Sequence, residues 1–134
     1  MKQLITAGLV VIKNRKLLLA FSKNKKAWYL PGGKIDEEES TLAALIREIK
    51  EELNILLKNE ELKFYTHISA PAFGEYPEII MEQDCFFHDL LLTPIPNAEI
   101  KSLKYFDRDS YRSETQVPGV VLLMQKLKED DLID

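Results

Sequence analysis

A chain of 134 residues, of which 46% are hydrophobic, is long enough for one globular domain with a substantial core. The formal net charge of −4 argues against a nucleic-acid polymer as partner, because such binding requires a basic surface. A single cysteine excludes an intrachain disulfide, and no apolar stretch is long enough to cross a bilayer, so we expect a cytoplasmic protein without a membrane partner.

The N-terminal part of the chain is predicted to contain short strands joined by turns. Branched aliphatic residues are concentrated in Ile5–Ile12, which predicts a largely buried strand. The pair Asn14-Arg15 is predicted to form a tight turn, after which Lys16–Phe21 returns as the second strand of a hairpin. The lysines of Ser22–Lys26 either serve solubility or attract phosphates, and both interpretations stay open. Trp28–Leu30 is predicted to form a short strand.

A glycine-rich turn and an acidic loop then precede an amphipathic helix. The turn consists of Pro31, Gly32 and Gly33, and glycines there let the backbone approach a ligand closely. Ser40 is suited to be the N-cap, because its hydroxyl can accept from an N–H of the first helical turn. An apolar stripe at three- and four-residue steps predicts the helix, and it is formed by Leu42, Leu45, Ile46, Ile49 and Leu53.

Three glutamates, Glu48, Glu51 and Glu52, fall on one arc of this helix at about 100° per residue. Glu48 and Glu52 form a like-charged i,i+4 pair, which disfavours a helix by about 0.2–0.5 kcal/mol. Taken alone, such a charge run is typical of a solvated acidic face. The alternative is a site for Mg²⁺, which takes oxygen ligands and usually combines one or two carboxylates with substrate phosphates.

The spacing from Gly33 to Ile55 favours the metal site, because it resembles the signature of the Nudix hydrolases. That signature runs Gly, five residues, Glu, seven residues, Arg-Glu, an aliphatic residue, any residue, Glu-Glu, any residue, Gly and an aliphatic residue. The matching positions here are Gly33, Glu39, Arg47, Glu48, Ile49, Glu51, Glu52 and Ile55. Asn54 replaces the last glycine, and asparagine also tolerates the left-handed conformation that ends many helices.

The resemblance implies a fold, a cofactor and roles for individual residues. The implied fold is α/β (α+β), the Nudix αβα sandwich with a mixed β-sheet between helices, as a single domain over residues 1–134. The implied cofactor is Mg²⁺ or Mn²⁺. The implied catalytic residues are Arg47, Glu48, Glu51 and Glu52. The candidate metal ligands are Gly33 through its carbonyl, Glu48, Glu51, Glu52 and, at the start of a later strand, Glu99. Glu51 and Glu52 are the leading ligands, whereas Glu48 is either a further ligand or the general base. In the family, Arg47 would also pair with Glu39 and tie the loop to the helix.

In the second half of the chain, two predicted strands flank a loop suited to substrate recognition. The strands are Leu62–Ser69 and Ile79–Leu92, and the loop Ala70–Glu78 contains two prolines and a glycine. Phe73 and Tyr76 in this loop are candidates for stacking on a base.

Other residues with chemical potential are interpreted as structural. His67 and His88 lie in predicted strands without metal-ligand partners at suitable spacing. Cys85 is interpreted as a small buried hydrophobic residue. Lys34, directly after the glycine turn, is a candidate contact to a phosphate.

The C-terminal region is predicted to add a strand and a closing helix. The strand is Ile100–Phe106, and apolar periodicity predicts a helix within Glu114–Lys128. Since Pro118 is tolerated only in the first turn, the helix should start near Val117. The acidic tail Glu129–Asp134 is predicted to fray.

The predicted function is Mg²⁺-dependent hydrolysis of a phosphoanhydride bond in a nucleoside diphosphate linked to another moiety. The short chain resembles MutT-like enzymes most, which convert (deoxy)nucleoside triphosphates to monophosphate and pyrophosphate. One alternative is an ADP-ribose or nucleotide-sugar pyrophosphatase, and another is a non-catalytic Nudix sensor that binds a nucleotide. The expected partner is a nucleotide-derived small molecule, and the chain is expected to be a monomer or a homodimer.

Overall fold

The computed structural model describes residues 2–75 and 79–134. Strands dominate the first two thirds of the chain, and helices cover them. The elements in chain order are β1 (Lys2–Val10), β2 (Ile12–Lys13), β3 (Lys16–Ser22), β4 (Ala27–Tyr29), β5 (Gly32–Lys34), α1 (Thr41–Leu53), a 3-10 turn (Asn59–Glu61), β6 (Lys63–Pro71), β7 (Ile79–Phe87), β8 (Ile100–Phe106), α2 (Arg108–Tyr111) and α3 (Pro118–Glu129).

Within residues 2–75 and 79–134, the strands form two four-stranded sheets. The first has the order β5-β1-β7-β6, in which β1 and β7 are parallel and the other neighbours are antiparallel. In the second, β3 is central: β2 and β4 pair with its two ends along one edge, and β8 pairs along the other, all antiparallel. The first sheet is therefore mixed, as predicted.

Alternate residues of the strands face opposite sides of the sheet layer and build two cores. On one side, Leu9 and Leu18 pack in a buried cluster with Leu45 of α1. On the other side, Val10 packs in a second buried cluster with Leu123 of α3. The two helices thus cover opposite faces, which confirms the predicted αβα sandwich. Within the described residues, every helix is too short or too polar to cross a membrane.

The ends of α1 and α3 follow the predicted capping pattern. The Ala43 N–H donates to Ser40 Oγ at 3.1 Å, and Asn54 adopts the left-handed conformation with φ of +57°. Helix α3 is preceded by Val117 as N-cap and has Pro118 in its first turn. These ends are determined by single residues, which explains why the sequence predicts them well.

β7 is shorter than the predicted strand Ile79–Leu92. It ends at Phe87, and the chain then turns: Leu90 has φ of +48°, and its N–H donates to His88 Nδ1 at 2.8 Å. Beyond the turn, Leu91 is 89% exposed. The apolar run therefore continues beyond the end of β7. The predicted strand was too long because apolar composition does not show where a strand leaves the sheet.

The C-terminal tail is packed, so the predicted fraying is wrong. Ile133 is fully buried, and Arg15 donates to Asp134 at 2.6 Å and to Asp131 at 2.8 Å. A short helix that the sequence analysis did not predict, α2, follows β8 and is capped by Asp107.

His67 is structural, as predicted, and joins β6 to β7. Its Nε2 lies 2.7 Å from Glu82 Oε1, and its Nδ1 lies 2.7 Å from Asp84 Oδ1. Carboxylates accept hydrogen bonds, so the doubly protonated ring satisfies both contacts. The hydrogen bonds to Glu82 and Asp84 therefore raise the pKa of His67 above its ordinary 6.5.

We expect a small, pH-dependent stabilisation from His67. Its raised pKa favours folding fully below pH 6.5, and the contribution is lost as the pH rises through the higher pKa of the folded state. Because the His67 side chain is 46% exposed, the size should be at most about 1 kcal/mol. Urea unfolding of wild type and His67→Gln at pH 5.5 and pH 9 measures this. A difference in stability between the two proteins that is the same at both pH values would contradict it.

Candidate active site

The glycine turn lies closely packed between β1 and α1. Gly32 and Gly33 are paired with β1, where Ala7 lies opposite Gly33. Gly32 has φ of +138°, and a Cβ there would overlap the carbonyl oxygen of Ala7. A Cβ on Gly33 would overlap the carboxylate of Glu48. Both glycines are therefore required for the turn to lie against the strand on one side and the helix on the other.

Glu52 is the buried carboxylate of the site. The residue is 7% exposed, and its Oε1 accepts a hydrogen bond from the Gly32 N–H at 3.0 Å. Burial raises the pKa of Glu52 to about 8, and the nearby charges of Glu48, Glu99 and Glu51 act in the same direction. Near neutral pH this carboxyl group therefore holds a proton unless a cation faces it.

Glu48 and Glu51 are both within reach of Arg47. The Arg47 Nη1 donates to Glu48 Oε2 at 3.0 Å and lies 3.6 Å from Glu51 Oε1. Burial raises the pKa of Glu48, and this effect outweighs the attraction of Arg47. The Glu48 side chain is 17% exposed and that of Glu51 is 53% exposed, so the two glutamates have different environments.

The expected pairing of Arg47 with Glu39 is present and bidentate. The Arg47 Nε donates to Glu39 Oε2 at 2.8 Å, and Nη2 donates to Oε1 at 3.0 Å. Nη2 also donates to the carbonyl oxygen of Lys34 at 3.1 Å. The hydrogen bonds from Arg47 lower the pKa of Glu39 to about 2. One guanidinium thus connects the acidic loop, the end of β5 and α1.

A cavity of about 240 Å³ opens beside these residues. It brings together four of the predicted site residues, which are Gly33, Lys34, Glu52 and Glu99. Glu99 comes from the loop before β8, and its Oε2 accepts a hydrogen bond from Asn24 Nδ2 at 2.9 Å. Lys25, from the lysine-rich loop predicted either to serve solubility or to attract phosphates, also lines the cavity. Residues of the wall that the sequence analysis did not single out include Leu4, Thr6, Tyr29, Met81 and Gln83.

Of the two aromatic candidates, Phe73 does not line this cavity. Phe73 lines an adjoining cavity of about 80 Å³, whose wall also includes Lys25 and Tyr29. The rings of Phe73 and Tyr29 are in an edge-on arrangement with centroids 6.3 Å apart. Tyr76 lies outside the described residues.

Gln83 is a buried polar residue of this wall that sequence reasoning missed. A signal was present, because Gln83 alternates with Met81 and Cys85 on one face of β7. A single polar residue at a core-facing position of an otherwise apolar strand face requires an explanation.

In the part of the chain that the structure describes, no group of three or more Asp, Glu, His and Cys side chains is arranged to hold a metal ion. The local hydrogen bonds account for this. Glu48 is paired with Arg47, Glu52 accepts from Gly32, and Glu51 is half exposed. The carboxylates are close enough to raise the pKa of Glu52. Their side chains would have to rotate before their oxygens could coordinate the same metal ion.

Comparisons with known proteins agree with the predicted family. The family model described as NUDIX domain matches residues 2–126. A curated relative, the mRNA-decapping protein D10 of Fowlpox virus (strain NVSL), is 38% identical over 85 residues, which are 58% of this chain and 37% of that protein. The chain therefore matches little more than a third of the viral protein's length.

Solved structures show the same fold. The MutT protein from Methanosarcina mazei Go1 has a TM-score of 0.73 at 17% identity, with coverage of 97% of this chain and 96% of that chain. A bifunctional NMN adenylyltransferase/ADP ribose pyrophosphatase from Francisella tularensis, complexed with AMP and an Mn ion, has a TM-score of 0.69 at 23% identity. It covers 96% of this chain and 42% of that chain.

Proposed function

The chain belongs to the Nudix family of hydrolases, and we propose that it is a metal-dependent pyrophosphohydrolase that converts nucleoside triphosphates to monophosphate and pyrophosphate. The observation that carries the proposal is the environment of Glu52. This carboxyl group is buried in a cavity wall beside Glu99 and accepts one hydrogen bond from a glycine N–H. Burying an ionised carboxylate in this way lowers the stability of the protein unless a bound cation supplies a compensating positive charge.

The donor atoms fit a hard divalent cation. Glu48, Glu51, Glu52 and Glu99 offer carboxylate oxygens, and the glycine turn adds the carbonyl of Gly33, so the set contains only the oxygen ligands that Mg²⁺ and Mn²⁺ prefer. When bound, such a cation would neutralise phosphate charge and lower the pKa of the attacking water. Glu51 and Glu52 are the proposed principal ligands, and Glu99 lines the same cavity as Glu52.

Glu48 is the proposed general base. Its Oε2 is occupied by the Arg47 guanidinium, whereas its carboxylate also lies against Gly33 in the cavity wall. Its pKa is raised by burial, and a carboxylate with a raised pKa is a better proton acceptor near neutral pH. In this arrangement Arg47 orients the carboxylate, and the free oxygen takes the proton from water.

The adjoining cavity supports a second candidate, an ADP-ribose or nucleotide-sugar pyrophosphatase. Its wall shares Lys25 and Tyr29 with the larger cavity that Glu52 and Glu99 line, and it adds Phe73. A longer substrate therefore has room for a second moiety in the adjoining cavity. A non-catalytic nucleotide sensor is the third candidate, and it is disfavoured because all glutamates of the signature are present.

A product analysis tests the proposal. Purified protein is incubated with unmodified and oxidised nucleoside triphosphates, ADP-ribose, nucleotide sugars and dinucleoside polyphosphates, with Mg²⁺, Mn²⁺ or EDTA. We expect monophosphate and pyrophosphate in equal amounts from a triphosphate, and no turnover in EDTA. Turnover of ADP-ribose alone would favour the second candidate. Nucleotide binding without any product, with metal present, would favour the sensor.

Arg47→Lys tests the positioning role of the guanidinium. Lysine keeps the positive charge but cannot reproduce the bidentate contact to Glu39 together with those to Glu48 and Lys34. We expect kcat/KM to fall about 10–100-fold and the Mg²⁺ concentration for half activation to rise. Arg15→Lys is the matched control, because Arg15 also contacts two carboxylates but lies at the C-terminal tail. Equal kinetics of the two variants would contradict the assignment.

A further inference from the structure

The cavity wall contains a buried carboxamide, that of Gln83, which no step described above uses. Gln83 is 9% exposed and lines the cavity together with Thr6 and Met81. Among the described residues, its side chain makes one weak contact, from Cys85 Sγ to Oε1 at 3.9 Å. The amide nitrogen can donate two hydrogen bonds, and no described protein group accepts them.

The neighbouring strand is shaped to leave room for this side chain. A Cβ on Gly8 would lie 3.1 Å from both Cδ and Nε2 of Gln83, and 2.5 Å from Leu30 Cδ2. The absence of a side chain at Gly8 therefore lets the carboxamide lie over β1. The position is built into the sheet, because Gln83 is in register with Thr6 of β1 and Ile68 of β6.

The amide nitrogen of Gln83 faces the cavity and is not enclosed in the core. Among the described residues, no fully buried side-chain nitrogen or oxygen lacks a hydrogen-bond partner, so the unpaired Nε2 is accessible from the cavity. An apolar side chain of the same length would avoid the partial desolvation of this amide. Met81 and Cys85, two positions away on either side, show that the same face of β7 otherwise carries apolar side chains. The unpaired amide is therefore positioned to form hydrogen bonds with a ligand in the cavity, and it is not needed for core packing.

We propose that Gln83 is a specificity-determining residue that pairs with the edge of the substrate's nucleobase. The inference rests on the proposed function, which places the phosphates beside Glu52 and Glu99 in the same cavity. A carboxamide presents a donor and an acceptor side by side. It is complementary to a base edge with one acceptor next to one donor, such as N7 and the N6 amino group of adenine.

Gln83→Met is the decisive variant, since methionine has a similar length and no hydrogen-bonding amide. We expect kcat/KM for the preferred nucleoside triphosphate to fall about 10–100-fold. The loss should appear mainly in KM, because the base is remote from the reacting phosphorus. The ratio of kcat/KM values between different bases should shrink, whereas turnover of ribose 5-triphosphate, which has no base, should be unchanged.

Two controls separate recognition from folding. The urea midpoint of Gln83→Met should equal or exceed that of wild type, because the amide makes only one weak protein contact. Gln125→Met changes an exposed glutamine of α3 outside this cavity and should leave all kinetic constants unchanged. Equal losses for the nucleotide and for ribose 5-triphosphate would overturn the proposal, and so would unchanged kinetics for both.

A failure of the proposed function can be distinguished from a failure of this inference. If wild type hydrolyses no nucleotide, the hydrolase proposal fails, and binding of the nucleoside monophosphates is measured instead. Binding that is about tenfold or more weaker in Gln83→Met than in wild type would still support recognition of the base. Equal binding by the two proteins would overturn it.

Discussion

Glu52→Gln is expected to abolish most activity and, at the same time, to stabilise the metal-free protein at alkaline pH. Charge neutralisation by a bound cation is worth several kcal/mol, so we expect kcat/KM about 10²–10⁴-fold lower in the variant. Glutamine retains an oxygen that can accept the hydrogen bond from the Gly32 N–H. The variant should therefore fold normally.

The effect on stability follows from the raised pKa of Glu52. Folding favours the protonated carboxyl group, because burial raises its pKa from 4.5 to about 8. This favourable contribution is complete below pH 4.5 and is lost as the pH rises through about 8. The loss at high pH amounts to at most roughly 5 kcal/mol. Glutamine does not titrate, so the stability of Glu52→Gln should lack this pH dependence.

Thermal unfolding in EDTA at pH 6 and pH 9 measures this difference. The stability advantage of Glu52→Gln over wild type should be larger at pH 9 than at pH 6. Added Mg²⁺ should raise the Tm of wild type more than that of the variant, since a ligand that binds the native state stabilises it. Glu60→Gln, at an exposed glutamate outside the cavity, is the control. Wild-type turnover by Glu52→Gln at saturating Mg²⁺ would refute the role of Glu52.

The contrast between Glu52 and its helix neighbours could not be read from the sequence. The helix, its caps and the arc of three glutamates depend on local spacing, and the structure confirms the helix and both caps. Which glutamate is buried depends on the glycine turn that packs against the helix, and Glu51 remains half exposed in the same arc. The spacing of residues along the sequence determines in which direction each side chain leaves the helix. It does not determine which other part of the chain packs over that side chain and buries it.

Long-range pairing was the part of the fold that sequence reasoning did not predict. β3 pairs with β8, so Ser22 lies opposite Ile100 although the two residues are far apart in the chain. This pairing brings the start of β8, and with it Glu99, into the cavity wall. Only the resemblance to the Nudix family had indicated Glu99. Gln83 belongs to no sequence motif, because a single polar residue in a strand has no partner at fixed spacing. Its only signal is its polarity on an otherwise apolar face of β7.

Gly32→Ala is expected to cause the largest loss of stability of any conservative change in the site. Gly32 has φ of +138°, a conformation that side chains with a Cβ rarely adopt. The added methyl group would also overlap the carbonyl oxygen of Ala7, which is backbone and cannot turn away. We expect the free energy of unfolding to fall by more than about 3 kcal/mol, since the strain and the displacement of β5 from β1 add together.

Gly74→Ala separates the two causes. Gly74 also has a positive φ, of +78°, but a Cβ there would meet the flexible end of the Lys25 side chain at 3.2 Å. The free energy of unfolding of Gly74→Ala should therefore fall only by the cost of the backbone strain, about 1–2 kcal/mol. Urea unfolding of both variants measures the difference, and equal midpoints would show that the Ala7 contact adds nothing. Because the Gly32 N–H donates to Glu52, Gly32→Ala should also lose activity at temperatures where the variant remains folded. The Gly32 N–H thus connects the tight glycine turn to the buried carboxyl group of Glu52.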